Sequence, residues 1–81
     1  NPSTTITFSL AAGVTQAELN IYNIKGQIVR SYLLNPATQQ LMNSVTWDGR
    51  DEKNHRVASG IFFYELKTAD YQCIRKMLLL K

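Results

Sequence analysis

Apolar residues in this chain recur at every second position, and no stretch sustains a helical repeat of three or four. "TITFSL" sets Ile6, Phe8 and Leu10 against Thr5, Thr7 and Ser9, and "AELNIY" repeats the alternation with Ala17, Leu19 and Ile21. A β-strand sends successive side chains to opposite faces, so each segment predicts a half-buried strand. "QIVRSYLL", "NSVTW", "GIFFYELKT" and "YQCIRKMLLLK" add four more, each bounded by turn-forming residues. In "NIKGQ", Gly26 supplies the left-handed residue that a bulged hairpin needs. Asn35-Pro36 ends the third strand, because proline cannot donate to a ladder. Asp48-Gly49 forms a sharp turn, and Asn54 is the non-glycine residue of the charged loop best suited to a left-handed position. Ser59-Gly60 lets the chain swing into the fifth strand, and Ala69-Asp70 is short enough to join the last two as a hairpin. Phe62, Tyr64 and Leu66 then face inward with Trp47, Val45 and Val57, while Ile61 and Phe63 take the opposite face. Short strands at roughly ten-residue intervals predict an all-β, immunoglobulin-like antiparallel β-sandwich of about seven strands.

Size and side-chain chemistry argue against catalysis. A chain of 81 residues accommodates one small domain, residues 1–81, in which burial barely exceeds conformational entropy and a deep cleft is hard to build. His55 is the sole imidazole. It sits in the polar run "DEKNHR" with no apolar neighbour to desolvate it, and reads as a solvated loop residue. Ser59 lacks the strand-turn-helix setting of an activated nucleophile. Asp48 begins something like a calcium loop, but Arg50 occupies a position that requires a ligand and the glycine comes too early. Gly13, Gly26, Gly49 and Gly60 are widely spaced turn residues, which make no phosphate cradle. Cys73 is alone, so there is no internal disulfide and no CxxC pair; it reads as a small core hydrophobe. No catalytic residue, cofactor or metal is therefore expected. The net charge of +3 comes from nine dispersed Lys and Arg, without the basic face that nucleic acid requires. No apolar stretch has the length to cross a bilayer, and "NPSTTITF" lacks the features of a signal peptide. Starting at Asn1-Pro2 without Met, the chain reads as a fragment of a longer protein whose export signal lies elsewhere.

Asn1-Pro2 before "TTITFSL", then "LNIYNIKGQIVR", "WDGRDEKNHRVASGIFFYEL" and the terminal "KMLLLK", resemble the C-terminal sorting domain of type IX secretion cargo in Bacteroidetes-type bacteria. The same pattern shades into the immunoglobulin-like domain of the flagellar hook-capping protein. The resemblance runs over essentially the whole chain. It implies a non-catalytic module, covalently preceded by a cargo domain such as a peptidase, glycosidase or adhesin. Such a module is recognised by the outer-membrane secretion machinery, usually removed by a sortase-like cysteine protease, and serves to bring the cargo via the periplasm to the cell surface or medium. Carried over by position, the recognition residues are Gly60, Ile61, Phe62 and Tyr64, with Lys76, Met77, Leu79 and Lys81. Two positions depart from the pattern. Phe62 stands where the family usually has Tyr, removing a hydroxyl, and Asn54 stands where the charged loop usually has Gly.

Physics supplies one reason why a terminal strand can act as an address. An exposed edge strand with charged residues can add to a partner's sheet, main-chain bonds supplying affinity and alternate side chains selectivity. The alternative is that Met77 and Leu79 close the core while Lys76 and Lys81 guard the edge against aggregation. On that reading the domain is a structural accessory, beside a catalytic domain or in a flagellar-hook-like assembly.

Overall fold

The computed structural model describes residues 3–10, 14–34 and 42–80. Six strands follow one another, with no helix among these residues: β1 (Thr4–Ser9), β2 (Ala17–Tyr22), β3 (Ile28–Leu34), β4 (Met42–Trp47), β5 (Gly60–Lys67) and β6 (Gln72–Leu79). Each of the six alternating segments is a strand, with ends moved by at most a few residues. The expected count of about seven is six among the described residues. The expectations for Asn1-Pro2, Gly13, Asn35-Pro36 and Lys81 fall outside the described residues.

The strands form two antiparallel sheets. β1 pairs with β4, from Thr4↔Trp47 to Ser9↔Met42, and the larger sheet runs β3-β2-β5-β6. Register follows from the alternation, because a slip of one residue would turn every apolar side chain to solvent. Leu19↔Leu66 and Ile21↔Tyr64 align β2 with β5, and Phe62↔Met77 and Leu66↔Cys73 align β5 with β6. The inner faces meet in a core of Ile6, Phe8, Leu10, Ala17, Leu19, Ile21, Val29, Trp47, Phe62, Leu66 and Leu79, with Val45, Val57, Tyr64, Cys73 and Met77 packed against it. Cys73 is thus a half-buried packing residue, as its strand position predicted.

Local chemistry fixes the turns. Asn23 Oδ1 accepts hydrogen bonds from the amides of Lys25 (2.9 Å) and Gln27 (3.0 Å), and Gly26 takes the left-handed conformation at φ +82°. The β2–β3 ladder shifts register at this end, between Ile21 and Tyr22, so Val29 is an extra residue that turns into the core. Asn54 is left-handed at φ +67°, as expected for the charged loop. Gly60 opens β5 at φ +150°, a conformation essentially reserved for glycine.

Trp47 ties the sheets together. Its ring is fully buried and meets Phe62 edge to face, with centroids 5.1 Å apart, and its Nε1 donates to the Arg50 carbonyl at 2.9 Å. Because Thr4 pairs with Trp47 and Gly60 pairs with Leu79, the start of β1, the start of β5 and the end of β6 share one end of the sandwich.

Candidate partner-recognition surface

The charged loop between β4 and β5 is occupied with holding itself in place. Asp51 Oδ1 accepts from the amides of Lys53 (3.0 Å) and His55 (2.9 Å), and these bonds, chiefly that from His55, hold its carboxyl below the usual range. Asp48 accepts from the Arg50 amide at 3.1 Å. Both carboxylates that could suggest calcium are thus engaged with their own backbone, and no cluster of three or more metal-ligating side chains occurs among the described residues. His55 is exposed, and its Nδ1 lies 3.9 Å from Asp51 Oδ2. The loop also docks on the rim of the large sheet: Glu52 donates its amide to the Val29 carbonyl (3.0 Å), and its carboxylate accepts from the Ser31 amide (2.6 Å). One edge of that sheet, β3, is therefore clasped at Val29 and Ser31. The other edge is β6, with no strand beyond it among the described residues.

Strand alternation divides the expected recognition side chains of β5 and β6 between two faces. Phe62 and Leu79 are core residues, and Tyr64 and Met77 pack against the core half-buried. A partner docking on the folded domain meets none of these side chains in full. Ile61 and Lys76 point outward and are exposed. Gly60 contributes its conformation at the rim, where a Cβ would meet nothing within 4 Å. Lys81 lies outside the described residues. The Phe62 position, where a tyrosine hydroxyl was expected to be missed, is 6% exposed and packs on Trp47, so an apolar ring suits it.

The outer face of the large sheet is organised in cross-strand rows. Ile61 pairs with Leu78 nearest the rim; the next row reads Ile28, Tyr22, Phe63, Lys76; the third reads Ser31, Asn20, Glu65, Ile74; the fourth reads Leu33, Glu18, Lys67, Gln72. Ile28, Ile61 and Leu78 are 57%, 42% and 56% exposed, and Ile24 in the adjoining turn is 72% exposed. Beside them Asn23, Ile24, Val29 and the segment 57–62 line a groove of about 510 Å³, which contains Gly60, Ile61 and Phe62. A larger recess of about 750 Å³ lies at the opposite end, near Ala17, Lys67 and Tyr71, away from every expected recognition residue.

A polar network crosses this face, and sequence reading missed it. Glu65 and Asn20 are only 7% and 6% exposed although both lie on the outer side. Glu65 Oε1 accepts from Asn20 Nδ2 (3.1 Å) and from the Tyr22 hydroxyl (2.9 Å), and Oε2 accepts from Gln72 Nε2. The bonds from Gln72 and then Asn20 hold the Glu65 carboxyl below its ordinary range, while burial and then the bond to Glu65 push the Tyr22 phenol up. The network joins β2, β5 and β6. A carboxylate whose folded pKa is depressed stabilises the fold fully above its unfolded value, about 4.3, and loses that contribution as pH falls through the lower folded value. Glu65→Gln is expected to cost about 1–3 kcal/mol at neutral pH, since an amide oxygen cannot satisfy the same donors. Urea unfolding of both proteins between neutral pH and pH 3 checks it: the variant's stability should fall less steeply with acid than the parent's.

A family model for the FlgD Ig-like domain matches residues 2–71. The chain belongs to this family. Comparison with curated proteins and with solved structures gives no match. The all-β, antiparallel two-sheet architecture is consistent with an Ig-like β-sandwich, and the FlgD Ig-like domain is a non-catalytic structural domain type. The expected relation to the hook-capping protein's immunoglobulin-like domain is thereby established.

Proposed function

We propose that this chain, residues 1–81, is the non-catalytic C-terminal module of a larger exported protein, directing it through the type IX secretion machinery to the cell surface. The observation that carries the reading is the asymmetry of the large sheet: the charged loop takes up main-chain groups of β3 at Val29 and Ser31, whereas β6 is an edge among the described residues and bears Lys76. An open edge strand offers a ladder of main-chain donors and acceptors to a partner's strand. The motif resemblance of "KMLLLK" and "GIFFYEL" to sorting domains supplies the identity of that partner, the outer-membrane machinery, with a sortase-like protease acting upstream.

The test is delivery of a cargo fusion in a type IX-competent host. Lys76→Ala, at an exposed position, is expected to melt within about half a kcal/mol of the parent, and together with Lys81→Ala to leave the cargo in the periplasm. Normal delivery of this double variant, and of a chain lacking Met77–Lys81, would defeat the reading. A second reading rests on the family match itself: a FlgD Ig-like domain serving as a structural accessory to a neighbouring domain or assembly. It expects normal export from every folded variant.

A further inference from the structure

We draw no further inference here: the strongest candidate, the exposed apolar patch that Ile24, Ile28, Ile61 and Leu78 form at the rim of the large sheet's outer face, is an unpartnered surface, and nothing in the structure shows what covers it.

Discussion

Trp47→Ala is expected to cost about 3–5 kcal/mol, the range for deleting a fully buried large aromatic side chain, and so to remove most of the stability of so small a fold. The indole is completely enclosed between the sheets. Its removal takes away the edge-to-face contact with Phe62 at 5.1 Å and leaves the Arg50 carbonyl without its 2.9 Å donor. Ring and hydrogen bond can be separated. Trp47→Phe keeps an aromatic ring near Phe62 and should recover part of the loss, with roughly 1 kcal/mol of the remainder assigned to the missing Nε1 bond. Urea denaturation followed by circular dichroism measures both variants. In the parent, the emission of this sole tryptophan should be blue-shifted when folded and move to the red on unfolding. A near-neutral Trp47→Ala would mean that the sandwich does not close around this ring.

Leu79→Ala is the second large effect, expected at about 2–5 kcal/mol for a leucine 1% exposed. It matters because Leu79 belongs to the set that the sorting resemblance assigns to partner recognition. Leu79 pairs with Gly60 and joins the core cluster at the end where Trp47 meets Phe62. Any secretion defect from Leu79→Ala, or from truncation at Met77, therefore mixes loss of an address with loss of the fold. Lys76 is free of this confusion, being exposed on the outer face. Chemical denaturation of the two variants side by side should show Leu79→Ala strongly destabilised and Lys76→Ala within about half a kcal/mol of the parent. Equal, small effects would place the end of β6 outside the core.

β6 thus turns different sets of residues to its two faces. Cys73, Met77 and Leu79 turn inward, while Ile74, Lys76 and Leu78 turn out. Sequence motifs cannot separate these roles, because a motif spans both faces of a strand while a partner reads one face or the edge. Pairing register makes the separation. Lys76 lies across from Phe63 on the outer side, and Met77 lies across from Phe62 on the inner.

What could be read from residue order was whatever depends on near neighbours along the chain. The six strands, the inward set from Ile6 to Leu66, the left-handed Gly26 and Asn54, and the absence of a desolvated base at His55 all follow from alternation, backbone sterics and local polarity. The polar network could not be read in this way. Glu65 occupies an outward position in its strand, where a carboxylate ordinarily remains solvated, and its donors come from Asn20 and Tyr22 on β2 and from Gln72 on β6. Which strands flank β5 decides whether that carboxylate is solvated or enclosed. Likewise, Glu52 became a clasp on β3, rather than one more charge in a polar loop, only when the chain brought it to Val29 and Ser31. Strand order is a long-range outcome of packing two sheets around Trp47. It leaves one edge of the larger sheet clasped at Val29 and Ser31 and β6 at the other, and only tertiary structure could decide that, since hydrogen bonds between strands are satisfied by whichever partner the shared core brings within reach.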